Sequence, residues 1–277
     1  MSFNERFAAI CKRKKSHVCV GLDVDLNKIP DFLKGSEDAA FQFSRAIIDA
    51  TQEHVAAYKI NIAFFEAYGV SGWRALEMIA DYLPKDVIRI ADAKRGDIGN
   101  TSRMYARAFL EELPFDAVTV NPYLGIDSVA PFIEESEKGV FVLCLTSNKS
   151  AADFQYKQSD GRQLYEDVAV KTMEWNKRDN CGLVVGATKA GSLGSVRSLA
   201  PSIPFLIPGI GAQGGDLALS LKNVFIAPSD KAVINSSRGI IYASSEEDFA
   251  EVAARKAEIL KNEINDVVST LFTGEDQ

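Results

Sequence analysis

The stretch Val87-Ile88-Arg89-Ile90-Ala91-Asp92-Ala93-Lys94-Arg95-Gly96-Asp97-Ile98-Gly99-Asn100-Thr101 carries the repeating plan of the chain: an apolar run, a charged end, then a helical stretch. The apolar run reads as a strand. Side chains alternate along a strand, so Asp92 and Lys94 share one face while Ala91 and Ala93 take the other. A buried ion pair costs desolvation, and apolar residues of similar volume often serve stability as well or better. Asp97 adds a second carboxylate within one turn. Two acids around one ammonium hold a core together poorly and suit proton chemistry.

The same unit recurs outward in both directions. Further strand-like runs span 18–23, 55–61, 117–121, 140–146, 182–186, 204–208 and 232–236, with 87–94 as the third in order. Amphipathic stretches at 38–53, 65–82, 101–113, 127–137, 164–177, 192–200, 215–221 and 246–271 lie between and after them. Near-continuously apolar strands alternating with helices predict the α/β class and a closed (β/α)8, or TIM, barrel. The chain is expected to be a single barrel domain over 1–277, with one long loop at about 147–161. A doubly wound open sheet is the alternative, but no Gly-x-Gly-x-x-Gly follows the first strand. Polar residues gather where the strands end: Asp23 and Asp25, Lys59 and Asn61, Asp92 and Lys94, Asn121, Thr146 and Ser147, Ser236 and Ser237. That rim is where barrels build sites. The opposite strand ends are expected to carry nothing comparable.

Composition narrows the function. The chain has 277 residues, a length normal for one barrel, and its net charge of -7 without a basic stripe argues against nucleic acid as partner. No apolar run is long enough to span a bilayer, and Met1-Ser2-Phe3-Asn4-Glu5-Arg6 does not read as a secretory leader, so a cytoplasmic protein is expected. Cys11, Cys19, Cys144 and Cys181 show no Cys-x-x-Cys spacing and read as reduced, buried thiols. With His17 and His54 the only histidines, neither a His-based zinc site nor a Ser-His-Asp triad is expected, and no metal is assigned.

After the seventh strand comes Pro208-Gly209-Ile210-Gly211-Ala212-Gln213-Gly214-Gly215-Asp216. Glycines let backbone N–H groups approach an anion, and a following helix start adds a favourable dipole. The eighth strand ends in Asn235-Ser236-Ser237-Arg238-Gly239, whose arginine presents a planar fork suited to phosphate oxygens. Loops after strands seven and eight are the usual phosphate cradle of a barrel.

With these residues in hand, the chain resembles the orotidine 5'-monophosphate decarboxylase family, whose hallmark Asp-x-Lys-x-x-Asp-Ile-x-x-Thr is matched by Asp92, Lys94, Asp97, Ile98 and Thr101. The Pro-Gly-x-Gly-Ala-Gln-Gly-Gly loop and Arg238 complete the match, which spans the chain in order. The 147–161 loop and Asn121-Pro122-Tyr123 look like the longer, type 2 branch. The resemblance implies that Lys94 protonates C6 of the pyrimidine and that Asp92 lies beside the substrate carboxylate. It implies that Asp97 and Thr101 reach, with Ile98 between them in the motif, into the neighbouring subunit's site, so the active unit would be a homodimer. Lys59 would complete the charge network, Asp23 bind a ribose hydroxyl, and Ser147 read the pyrimidine amide edge. Gln213 and Arg238 would hold the phosphate, with Pro208 and the backbone of Gly209, Gly211 and Ser237. No cofactor is implied. Lys149 is a departure, standing where the family's Thr-Ser-Asn-Pro would put proline.

Loss of carbon dioxide from C6 leaves a carbanion with little resonance stabilisation. A fixed ammonium can stabilise that charge and then quench it. Quieter readings exist for each residue taken singly: Asp97 as a helix N-cap, Thr101 as a first-turn residue, Lys59 snorkelling from the mouth, Asp23 and Asp25 capping a loop. Among enzymes, the alternative is a magnesium-dependent sugar-phosphate decarboxylase or synthase on the same barrel, with Asp25 as an extra acid for the metal. A Schiff-base aldolase using Lys59 or Lys94 and a nucleotide-binding protein without turnover are the remaining rivals.

Overall fold

Strands that are apolar on both faces need cover on both. In the computed structural model, which describes residues 1–187, 190–209, 217–228 and 231–272, they obtain it by closing on themselves. In chain order the strands are β1 (Val18–Leu22), β2 (Ala57–Asn61), β3 (Ile88–Arg95), β4 (Ala117–Val120), β5 (Gly139–Leu145), β6 (Gln158–Ser159), β7 (Arg162–Gln163), β8 (Cys181–Val185), β9 (Phe205–Pro208) and β10 (Ala232–Ser236). The barrel runs β1-β2-β3-β4-β5-β8-β9-β10 and back to β1, with every neighbouring pair parallel. This is the (β/α)8 architecture expected. The short strands β6 and β7 form an antiparallel hairpin outside it.

Two apolar cores result. The outer one joins strand faces such as Val20, Ile60, Ala91 and Val118 to the surrounding helices, including Phe43, Leu76 and Phe109. The inner one fills the barrel with Cys19, Ala57, Ile90, Ala117, Phe141, Leu206 and Val233. It is closed from below by the helix Phe3–Lys14, an element outside the expected stretches, whose Phe3, Phe7, Ile10 and Cys11 recur at helical spacing. A reciprocal capping box starts that helix: the Ser2 hydroxyl accepts from Glu5 N (3.1 Å), and Ser2 N donates to the Glu5 carboxylate (2.8 Å). Phe3 and Phe7 are fully buried, with ring centroids 5.9 and 6.3 Å from that of Phe141. Burial of each contributes roughly 1.5–3 kcal/mol.

Contrary to the expectation of an empty base, the lower end of the barrel carries a polar frame. The buried Asp116 accepts from Arg6 Nη1 (2.9 Å) and from Arg89 through its backbone N (2.8 Å), Nε (2.9 Å) and Nη2 (2.9 Å). Asn180 donates to the carbonyls of Ile133, Glu135 and Lys138. These groups clamp the N-terminal helix and the loops entering β4, β5 and β8.

Several helices differ from their expected extents. The 127–137 stretch is only Ile126–Val129 and a 3-10 turn, Ala130–Phe132, because Pro131 removes a donor and crowds the preceding turn. The 65–82 stretch divides into Ile62–Glu66 and Gly69–Tyr82. Of the 215–221 stretch, the described part belongs to a helix Leu217–Val224. The long excursion after β5 has structure of its own: a 3-10 helix Lys149–Asp153, opened by Lys149, and the β6–β7 hairpin. All four cysteines are buried and unpaired, and among the described residues no helix is long and apolar enough to cross a membrane.

Candidate active site

Strand parity builds the site. Residues two apart on a strand point the same way, so the inward set of the inner core continues upward to the mouth. It runs from Cys19 to Gly21 and Asp23, from Ala57 to Lys59 and Asn61, from Ile90 to Asp92 and Lys94, and from Val233 to Asn235 and Ser237. All of these upper residues except Gly21 line a cavity of about 280 Å³ above an apolar floor of Leu143, Val184 and Leu206.

Its centre is a row of alternating charges. Lys59 Nζ lies 3.6 Å from Asp23 Oδ1 and 2.8 Å from Asp92 Oδ2, and Lys94 Nζ lies 2.5 Å from Asp92 Oδ1. Within one chain the ammonium flanked by two acids is therefore Lys59, whereas Lys94 meets Asp92 alone. Lys59 and Asp92 are buried, but half of the Lys94 side chain is exposed. Burial alone would raise the Asp92 carboxyl, yet the charges and hydrogen bonds of Lys59 and Lys94 hold it far below the ordinary carboxylate range. Burial likewise works against the Lys59 ammonium, and Asp92 and Asp23 overcome it, lifting the group well above an ordinary lysine. Both groups thus stay charged at neutral pH.

Local backbone geometry sets the end of the row. Pairing between β3 and β4 shifts register between Ala91 and Arg95, and Lys94 sits in the left-handed region at φ 48°. Its N–H, turned out of the regular ladder, donates to Thr119 Oγ1 (2.9 Å), and the same hydroxyl lies 3.0 Å from Asp92 Oδ1. Thr119 was absent from the residues singled out in the sequence. The signal was available in strand parity, since Ala117 and Thr119 face inward while Val118 and Val120 belong to the outer core.

The rest of the rim converges on the cavity. Ser147 lines it although Lys149 replaces the expected proline, and Thr146 beside it is held by Gln155, whose Oε1 accepts from Thr146 N (2.8 Å). Pro208, Gly209, Ser237 and Arg238 line the far side. Gly209 has φ 95°, a conformation suited to glycine. Gly21 permits the close approach of β10, for a Cβ there would lie 1.9 Å from Ser237 Oγ. Arg238 opens the short helix Arg238–Ile241, and Tyr242 just beyond it donates to the Asp23 carbonyl (2.8 Å) while accepting from Asp25 N (2.6 Å). Gln213 and Gly211 lie outside the described residues.

Asp97, Ile98 and Thr101 are not among the residues lining their own chain's cavity. Asp97 accepts from Ile98 N (2.8 Å); it precedes the N-cap, which is Ile98, and Thr101 lies in the first turn of the helix Gly99–Arg107. Ile98 is 57% exposed. Asp25, the acid that a metal-dependent relative would use, is paired with Lys28 (3.0 Å) and Asn27 and does not line the cavity.

Chemically, the cavity offers a cationic tip at Lys94, carboxylates at Asp23 and Asp92, and an arginine with glycine backbone at the opposite wall. Asp23 Oδ1 is buried without a hydrogen bond and faces the Lys59 ammonium at 3.6 Å, and the Asp23 carboxylate as a whole lines the cavity.

Comparison with known proteins bears on the family and the fold. The model of the orotidine 5'-phosphate decarboxylase / HUMPS family matches residues 16–253. The orotidine 5'-phosphate decarboxylase of Dehalococcoides mccartyi is 49% identical over 269 residues, covering 96% of this chain and 98% of that protein. Among solved structures, the OMP decarboxylase of Leishmania donovani is 39% identical with a TM-score of 0.84, covering 97% of this chain and 99% of its own. The UMP synthase of the same organism is 41% identical with a TM-score of 0.86; the match covers 97% of this chain but only 57% of that longer one.

Proposed function

The chain belongs to the orotidine 5'-phosphate decarboxylase / HUMPS family, and from that premise we propose how its own residues convert orotidine 5'-monophosphate to uridine 5'-monophosphate. Arg238, Ser237 and the Pro208–Gly209 turn hold the phosphate, together with Gln213 and Gly211. Asp23 takes a ribose hydroxyl, and Ser147 reads the amide edge of the pyrimidine. This orientation sets the substrate carboxylate beside Asp92 and C6 beside Lys94.

The bond from C6 to the carboxylate carbon breaks, its electron pair stays on C6, and carbon dioxide leaves. The Lys94 ammonium stabilises that pair as it develops and then delivers a proton to C6. Asp92 beside the departing carboxylate adds ground-state repulsion, which ranks second to stabilisation of the carbanion. The charges of the row titrate as a coupled set. No step is routed through a metal or other cofactor. Phosphate contacts lie far from C6 and supply binding free energy that organises the site.

The observation that carries this reading is the row Asp23–Lys59–Asp92–Lys94, ending in a lysine tip that faces the cavity. Ion pairs at such depth are a poor device for stability alone. The test is the loss of ultraviolet absorbance from orotidylate in chelator-containing buffer. Steady conversion to uridylate is expected; an unchanged spectrum, or turnover that requires magnesium, would overturn the reading.

We further propose that two copies share their sites, Asp97 and Thr101 of each completing the other's row, with Ile98 at the seam. In support, these three residues do not line their own chain's cavity, and Ile98, Met104, Tyr123, Leu124 and Ile126 are large apolar side chains left exposed on the single chain. The four buried free thiols support a reducing, cytoplasmic setting. We take the barrel with its excursion after β5 to be the chain's one domain.

A further inference from the structure

We propose that Thr119 is a positioning residue for the proton donor, its hydroxyl locking the Lys94 backbone and the Asp92 carboxylate into one geometry. The proposal rests on the reading of Lys94 given above and deepens it.

The polarity of the contact is forced. A backbone N–H can only donate, so at 2.9 Å from Lys94 N the Thr119 hydroxyl must accept. Its single proton is then free for Asp92 Oδ1 at 3.0 Å, a carboxylate that only accepts. The same oxygen meets Lys94 Nζ at 2.5 Å, which closes a ring from lysine backbone to threonine to aspartate to lysine tip. Asp92 Oδ2 is tied separately to Lys59 at 2.8 Å. Neither carboxylate oxygen can swing without breaking a contact.

The lock answers a local need. Lys94 is a non-glycine residue at φ 48°, beside a register shift that takes its N–H out of the ladder to β4. Such a conformation persists only where its surroundings over-determine it. Thr119 supplies the missing acceptor from β4 itself. It is β-branched, so its rotamer is restricted, and it is 1% exposed. It does not line the cavity and so does not touch substrate. Its influence on the reaction passes through Lys94 and Asp92.

Two variants separate the hydroxyl from the packing. Thr119→Val keeps the shape and removes both hydrogen bonds; Thr119→Ser keeps both bonds and trims a methyl group. We expect Thr119→Val to lower kcat by about 10- to 100-fold, the scale of a small misplacement of a reacting group, while KM and the affinity for uridylate stay near wild type. Thr119→Ser should restore kcat to within about threefold. A valine variant with wild-type kcat, a serine variant as impaired as valine, or a rise in KM alone would overturn the proposal. Amide hydrogen exchange on the wild-type chain provides an arm independent of any variant's folding. The Lys94 amide should be protected, and exchange at the rate of an open loop would overturn the lock. A wild-type chain that leaves orotidylate untouched overturns the functional reading and this role together, whereas an active wild type with an equally active Thr119→Val overturns this role alone.

Discussion

At the mouth of the barrel Asp92 lies between two cations, Lys59 and Lys94; at its base Asp116 lies between two others, Arg6 and Arg89. Both acids are buried, and burial alone would raise both carboxyls. At Asp92 the two lysines reverse that, and at Asp116 the hydrogen bond from Arg89 and the charges of Arg6 and Arg89 do the same. The electrostatic device is shared, but the cations differ. Guanidinium keeps its proton in proteins and presents a rigid fork of donors, so two arginines cage an acid completely. An ammonium is a compact donor that can give a proton up. The base is therefore a clamp, and the mouth a row whose two ends, Asp23 and Lys94, both line the cavity.

The comparison breaks most readily at Lys94. Lys94→Ala should abolish measurable turnover and still bind uridylate, as titration calorimetry would report. Mixed with Asp97→Ala, also inactive alone, it should regain up to about a quarter of wild-type activity, the fraction of intact sites in randomly assorted shared-site dimers. No recovery on mixing would remove the shared site from the account. Arg238→Ala comes next: kcat/KM should fall by roughly 10²–10³, the usual cost of one lost transition-state donor. Added guanidinium cation should recover part of the loss, because it replaces the missing charge beside the phosphate while Lys94 is untouched; absence of rescue would count against the phosphate assignment.

Asp116→Ala sharpens the contrast from the other end. Leaving two arginine charges uncompensated should cost about 3 kcal/mol in denaturant unfolding, with kcat unchanged at a temperature where the variant is folded. A lost kcat would mean that the base is not merely structural. The smallest effect is one of pH. The folded-state Asp116 carboxyl is held below its ordinary 3.8, so its contribution is complete above that value and fades as pH falls through the depressed folded value. The stability gap between wild type and Asp116→Asn should narrow correspondingly below pH 3.8. A gap independent of acid pH would contradict the sign.

Legibility in the sequence followed the physics of each element. Barrel strands buried on both faces leave long apolar runs; 232–236 coincides with β10, and 117–121 overruns β4 by one residue. Asp92, Lys94 and Lys59 stood out because charge at the end of such a run is costly. The helix Phe3–Lys14 falls outside the strand–helix repeat and so outside the expected elements, although Ser2 and Glu5 spell its start and Phe3, Phe7, Ile10 and Cys11 recur at helical spacing. Pro131 was passed over within an apparently helical stretch. Thr119 stayed hidden because threonine is an ordinary strand former, and only its parity with Ala117 distinguishes it. Asp97 and Thr101, which the resemblance assigns to the neighbouring subunit's site, do not line the cavity of their own chain.

The claim that a lysine makes the mouth reactive where arginines make the base inert is tested most directly by Lys94→Arg. The substitution keeps a cation beside Asp92 and removes the proton that can be given. We expect a folded protein that binds uridylate and fails to bleach orotidylate, down by at least about 10³ in rate. Turnover near the wild-type rate would contradict proton delivery from Lys94.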